Sequence, residues 1–112
     1  MSLVATVEHR DGTAVVSPVG ELDAYNAPAL REQLHGLATD ASVELLVVNL
    51  KRVTFLDSSA LGVLVGALRQ MRERDRDLRL VDPRPNVRRV FEITLLDRTF
   101  AFAPSVEEAL TT

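Results

Sequence analysis

Asp57, Ser58 and Ser59 form a short polar step whose residue types suit a charge-based switch. An apolar segment precedes the step, and an apolar stretch with helical spacing follows it. The two hydroxyls therefore lie at a predicted helix N-terminus, where free N–H groups and the helix dipole favour a negative group. A phosphate on serine would be stabilised there and would sharply change the local charge. Serine is also a favoured capping residue, so local chemistry alone favours a plain N-cap at Ser58 or Ser59 over a switch.

Catalytic and metal-binding chemistry finds little support in the chain. There is no cysteine, and the two histidines, His9 and His35, are far apart with no convergent ligand pattern around them. The residues around Ser58 do not form the G-x-S-x-G elbow of a serine nucleophile. A serine nucleophile also needs a general base within hydrogen-bond reach. We therefore predict no enzyme activity, no cofactor and no metal.

Length and composition indicate one soluble domain, and we expect residues 1–112 to form it. The chain has 112 residues, of which 46% are hydrophobic and 26% charged, with a net charge of −3. The arginine-rich segment 69–79 is interleaved with acidic residues, which predicts a solvated helix end with pairs such as Arg69 with Glu73. We therefore expect no nucleic-acid-binding face. No signal peptide or membrane-spanning run is evident, so a cytoplasmic protein is expected.

The apolar pattern predicts an α/β fold with a mixed sheet of about five strands and about four helices. The opening strands form an antiparallel hairpin around Asp11-Gly12, and the later strands are mainly parallel because helices alternate with them. The run from Leu45 to Val48 suits a central strand covered on both faces. The predicted strands are 3–8, 14–19, 45–50, 78–81 and 99–103. The predicted helices follow an N-cap at Asn26, span 59–74, include 87–91, and follow a capping box at Ser105.

Three segments together resemble a known family. Asp57-Ser58-Ser59-Ala60-Leu61-Gly62-Val63 resembles the D-S-[ST]-G-L-G-V signature of the anti-sigma-factor antagonists, small members of the STAS domain family. Gly20-Glu21-Leu22-Asp23 resembles the G-E-[LIF]-D that follows the family's second strand, and Val87 to Phe91 resembles the helix after its fourth strand. The order of elements matches over nearly the whole chain. The resemblance implies a single-domain STAS fold.

The same resemblance implies a function and a set of partners. The unphosphorylated protein is expected to bind an anti-sigma factor that is also a serine kinase, and so to free a sigma factor. That kinase would phosphorylate Ser58, a PP2C-type phosphatase would remove the phosphate, and the isolated protein would be a monomer or weak dimer. The implied partner-binding residues are Asp23, Asp57, Ser58, Ser59, Leu61 and Gly62. No nucleic acid or membrane partner is expected.

One departure from the family pattern, one open question about two glycines and two alternative functions accompany this interpretation. Ala60 stands where the family usually has glycine, and its methyl group could crowd an approaching kinase. Gly62 and Gly66 could either let their helix lie close to the sheet or leave a flat surface for a partner. A STAS domain acting as an unregulated interaction module is one alternative function. A phospho-aspartate receiver is the other, although the oxygen ligands that its cation needs are missing from the expected positions.

Overall fold

A computed structural model, which describes residues 3–111, contains a five-stranded mixed sheet and a separate two-stranded sheet. The strands are β1 (Ala5–Arg10), β2 (Thr13–Pro18), β3 (Gly20–Leu22), β4 (Leu45–Asn49), β5 (Val53–Leu56), β6 (Asp77–Val81) and β7 (Ala101–Ala103). The helices are α1 (Ala27–Ala38), α2 (Ser58–Arg72), α3 (Pro85–Ile93) and α4 (Val106–Thr111).

The large sheet has the strand order β1-β2-β4-β6-β7, and its topology agrees with the prediction. β1 and β2 are antiparallel, and the other neighbours are parallel. β4 lies between β2 and β6, where Leu46, Val47 and Val48 are fully buried. Leu46 and Val48 join the large core that includes residues of α1, α2 and α3, whereas Val47 packs with Ala109 of α4. The prediction of a central strand buried on both faces is confirmed.

The two-stranded sheet was not predicted, because residues 51–57 read as a connection. β3 and β5 pair in parallel, with Glu21 opposite Phe55 and Leu22 opposite Leu56. β5 is four residues long and buries only its two ends, so it shows neither alternation nor a continuous apolar run. Gly20 has a φ of +91°, a conformation that glycine adopts without strain. The pairing places the Gly-Glu-Leu-Asp segment beside the strand that leads to Ser58.

The helix boundaries lie close to the predicted ones. α1 follows Asn26 and ends at Ala38, as expected, but no side-chain bond from Asn26 caps the helix. Its Oδ1 atom instead accepts from the N–H of Asp23 at 3.0 Å, and its Nδ2 atom donates to the carbonyl of Glu21 at 2.7 Å. At α4, Ser105 Oγ accepts from the N–H of Glu108 at 3.1 Å, which confirms the predicted cap.

The arginine-rich segment is only in part the solvated helix end that we predicted: Arg69, Arg72 and Glu73 are exposed at the end of α2, but among the described residues no ion pair joins Arg69 to Glu73. Arg74 and Arg76 are half-buried, and their guanidinium groups donate to backbone carbonyls at the end of α1 and in the loop that leads to β4. Arg76, for example, reaches the carbonyl oxygen of Ala41 at 2.9 Å. Arginine carries five N–H donors, so it can satisfy several loop carbonyls that have no ladder partner. These arginines therefore hold the fold together rather than forming a basic surface.

Candidate partner-binding site

Ser58 and Ser59 are the first two residues of α2, and both are exposed. The prediction that Ser58 lies exposed at the start of a sheet-packed helix is confirmed. Their N–H groups belong to the first turn, which has no intrahelical acceptor for them. A negative group on either hydroxyl would therefore lie near unpaired N–H groups and the positive end of the helix dipole.

Neither serine caps the helix, and this corrects the interpretation of Ser58 or Ser59 as the N-cap. Asp57 is the N-cap: its backbone is extended, with φ −102° and ψ −178°, and its Oδ1 atom accepts from the N–H of Ala60 at 3.0 Å. Aspartate caps as well as serine does, and the helical backbone begins only at Ser58. Both serine hydroxyls are therefore free of a capping role.

The other oxygen of Asp57 ties two parts of the chain together. Oδ2 accepts from the N–H of Ala24 at 2.9 Å, and the N–H of Asp57 donates to the carbonyl of Leu22 at 3.1 Å. Asp57 thus uses both carboxylate oxygens on backbone groups, one in α2 and one in the loop before α1. Its first role is to fix the loop of residues 23–26 against the start of α2.

Asp23 closes that loop on itself. Its Oδ1 atom accepts from the N–H groups of Tyr25 at 3.0 Å and Asn26 at 3.3 Å, and its carbonyl accepts from Ala27 at 2.8 Å. These bonds hold residues 23–26 in one compact turn. Because Asp57 is bonded to Ala24 within the turn, Asp23, Asp57 and Ser58 are brought to the same end of the molecule.

Two positions of the family motif point into the protein instead of toward a partner. Leu61 is only 5% exposed and belongs to the large core, so the structure does not support its place in a binding surface. Ala60 is fully buried, with 0% exposure. Its methyl group therefore does not extend to the surface that a kinase would approach, which removes the concern about the missing glycine.

Gly62 and Gly66 line an open groove between α1 and α2. A Cβ atom built at either position meets nothing within 4 Å, so neither glycine is required for close packing of the helix. The groove has a volume of about 620 Å³, and an exposed His35 on α1 is hydrogen-bonded across it to Gln70 on α2 at 2.7 Å. Of the two interpretations left open for these glycines, close packing of the helix is not supported, and an open surface that a partner can approach remains.

Two exposed aromatic residues near Ser58 were missed. Tyr25 is 66% exposed in the turn that Asp57 fastens, and Phe55 is 46% exposed on the strand that leads to Asp57. The sequence did contain a signal for them, because one aromatic residue lies beside each of the two family motifs, Gly-Glu-Leu-Asp and Asp-Ser-Ser. Neither stood out, because a single aromatic residue in a predicted connection shows no periodicity.

Within residues 3–111, no group of three or more His, Asp or Glu side chains is arranged to hold a metal ion. The helices of that same range include none that is long and apolar enough to cross a bilayer.

Comparison with known proteins gives a consistent family. The STAS domain model matches residues 4–109. The anti-sigma-B factor antagonist of Staphylococcus aureus (strain NCTC 8325 / PS 47) is 37% identical over 75 residues, or 67% of this chain and 68% of the relative. A crystal structure of an anti-sigma factor antagonist from Mycobacterium paratuberculosis has a TM-score of 0.88 at 34% identity, covering 97% of this chain and 92% of its own.

A third relative has been solved in two covalent states. The unphosphorylated form of the anti-sigma factor antagonist SpoIIAA has a TM-score of 0.83 at 28% identity, covering 96% of this chain and 93% of its own. The phosphorylated form of this Bacillus protein has a TM-score of 0.76 at 27% identity, covering 96% and 97%. The fold described above is thus shared with antagonists in both states.

Proposed function

We propose, since this chain belongs to the STAS domain family, that it is an anti-sigma-factor antagonist switched by phosphorylation of Ser58. The observation that carries the proposal is the exposed Ser58 hydroxyl at the start of α2, left free because Asp57 caps the helix. The relatives support the same function, since they are antagonists and one of them is known in a phosphorylated form.

The switch acts through charge. Unphosphorylated, the chain binds an anti-sigma factor that is also a serine kinase, and the sigma factor is released. A phosphate on Ser58 adds about −1.5 to −2 charges directly beside Asp57. If one anionic group of the partner lies ~4 Å from the phosphate, each added charge makes the binding free energy less favourable by roughly 4 kcal/mol at an effective dielectric near 20. A third of that cost is enough for about a tenfold loss of affinity.

The phosphorylated chain stays folded. Ser58 is exposed, so the phosphate remains in water and displaces no buried group. The positive end of the α2 dipole stabilises the added charge by about 0.3–1 kcal/mol. The fold is therefore expected to persist in both states, and the loss of binding comes from repulsion between the two proteins.

The remaining parts of the proposal concern the partners. The kinase supplies ATP and metal, a PP2C-type phosphatase restores the serine, and the chain itself catalyses no reaction. Asp23, Ser59 and Gly62 contribute to the surface around Ser58, and Asp57 holds that surface in shape. The chain works in the cytoplasm, as a monomer or weak dimer.

The test uses the small histidine-kinase-like ATPases of the source organism, purified and titrated one at a time by isothermal calorimetry. At least one of them should bind the native chain and Ser58→Ala with equal affinity and bind Ser58→Glu at least tenfold more weakly. Ser59→Glu is the matched control, because it adds the same charge one residue further along the helix, and it should weaken binding less. Equal binding of the native chain and Ser58→Glu would refute the switch and favour an unregulated interaction module.

A further inference from the structure

The aromatic residues of the chain divide into two groups by environment. The chain has four phenylalanines and one tyrosine. Phe91 packs edge-to-face against Phe100 and Phe102, with both ring centroids at 5.4 Å, and the guanidinium of Arg88 lies 4.0 Å from the Phe102 centroid. Tyr25 and Phe55 stand apart from that cluster and are 66% and 46% exposed. The fold thus uses three rings in its own packing, leaves the Tyr25 ring mostly in water and leaves the Phe55 ring about half exposed.

Both exposed rings belong to segments that meet at Ser58. Phe55 lies on β5, which ends immediately before Asp57 and Ser58. Tyr25 lies in the turn whose neighbouring residue, Ala24, donates its N–H to the Asp57 carboxylate at 2.9 Å. The N–H of Tyr25 itself donates to Asp23 Oδ1 at 3.0 Å, so the backbone that carries the ring is held in place. The residues that carry the two rings therefore lie at the same end of the molecule as Ser58.

We infer that Tyr25 and Phe55 are the apolar anchors by which the unphosphorylated chain holds its anti-sigma factor, an inference that rests on the proposed function. A surface made only of the exposed hydroxyls and half-exposed carboxylates at this end would bind weakly, because exposed polar and charged contacts contribute little. Aromatic residues are enriched at the cores of protein interfaces, and tyrosine is among the residues that carry most of the binding energy when they fill desolvated pockets of the partner. The occupant is the anti-sigma factor because the two segments that carry the rings meet at the serine that this partner must reach.

In this arrangement, apolar contact and charge affect partner binding separately at the same surface. The rings supply affinity whether or not Ser58 is phosphorylated, and the phosphate subtracts from that affinity by repulsion. The matching partner surface is an apolar pocket or cleft beside the groups that face Ser58. Because a kinase must dock before it transfers phosphate, removing a ring should also slow phosphorylation of Ser58 at low substrate concentration.

The experiment compares Tyr25→Ala and Phe55→Ala with a matched control, Ile93→Ala. Ile93 is 68% exposed at the end of α3, so its truncation removes a comparable apolar surface from an element that carries neither Ser58 nor the turn of residues 23–26. The probe is the purified histidine-kinase-like ATPase that binds the native chain most tightly. We expect each aromatic substitution to weaken binding at least tenfold and Ile93→Ala to change it less than twofold. Phe55→Leu keeps an apolar side chain in the half-buried part of the site, so it removes the ring in case Phe55→Ala does not fold. Circular dichroism checks that every variant is folded.

The outcomes separate this inference from the function on which it rests. If the ATPase binds the native chain and Ser58→Ala but binds both aromatic variants equally well, the anchors are refuted and the proposed function stands. Loss of self-association in the aromatic variants, with partner affinity unchanged, would assign the rings to a second copy of this chain and also refute the inference. If no ATPase of the organism binds the native chain, the proposed function fails and the inference fails with it.

Discussion

Replacing Asp57 should destabilise the protein, and replacing either neighbouring serine should not. The Asp57 carboxylate accepts two backbone N–H groups, from Ala60 at 3.0 Å and from Ala24 at 2.9 Å. Loss of an N-cap costs about 1 kcal/mol, and loss of the second hydrogen bond costs about another 1 kcal/mol at this partly exposed position. We therefore expect Asp57→Ala to lower the free energy of unfolding by about 2 kcal/mol. For a domain of this size, that shift lowers Tm by roughly 8 °C.

Asp57→Asn separates the two contributions. An asparagine offers one acceptor oxygen in place of two, so only one of the N–H groups of Ala60 and Ala24 can be satisfied. The expected cost is about 1 kcal/mol, half that of Asp57→Ala. The charge change is the same in both variants, so the difference between them reports the remaining hydrogen bond.

Urea denaturation followed by circular dichroism measures these changes, with Ser58→Ala and Ser59→Ala as controls. Alanine is at least as good as serine inside a helix, so both controls should remain within about 0.5 kcal/mol of the native chain. A loss of about 1 kcal/mol in either serine variant, with Asp57→Ala unaffected, would show that a serine caps the helix and that the structural reasoning is wrong.

Two further predictions concern the groove and a loop carboxylate. Gly62→Ala and Gly66→Ala should each raise the free energy of unfolding by up to about 1 kcal/mol in urea titrations, and each should weaken binding to the ATPase. Gly36, on α1, is equally unobstructed, so Gly36→Ala should give the same gain in stability but leave binding unchanged. Equal binding by all three variants would show that the groove is not part of the interface. The hydroxyl and N–H of Ser42 both donate to Asp40 and hold the pKa of its carboxyl below the ordinary value. The contribution of Asp40 to stability is therefore present above its unfolded-state pKa and lost as pH falls through the lower folded-state pKa; Ser42→Ala should raise that pKa in a carbon NMR titration, and an unchanged pKa would assign the shift to another cause.

The large sheet and the position of Ser58 were predictable because their signals are local and redundant. β4 is a continuous apolar run, and α2 carries its buried residues at helical spacing. Leu61 lies at helical spacing with the other buried residues of α2 and also within the binding motif, and the structure buries it. Helical periodicity was therefore a better guide to its exposure than the motif was.

The features that were not predicted depend on tertiary contacts, or on a choice among neighbouring residues that cap helices equally well. Asp57, Ser58 and Ser59 are all good capping residues, so the sequence alone does not select the one with the extended backbone. The pairing of β3 with β5 joins two short segments with no alternation of their own. The hydrogen bonds of Arg74 and Arg76 to loop carbonyls span more than thirty positions, beyond any local pattern.

The central claim is that phosphate on Ser58 controls partner binding, and one measurement tests it directly. The native chain is phosphorylated by its partner ATPase with ATP, the modified residue is located by mass spectrometry, and the affinity of the purified phosphorylated chain is compared with that of a phosphatase-treated half of the same sample. The account predicts a single phosphate on Ser58, at least tenfold weaker binding by the phosphorylated half, and an unchanged circular dichroism spectrum. Phosphate on Ser59 alone, or equal affinity of the two halves, would contradict it.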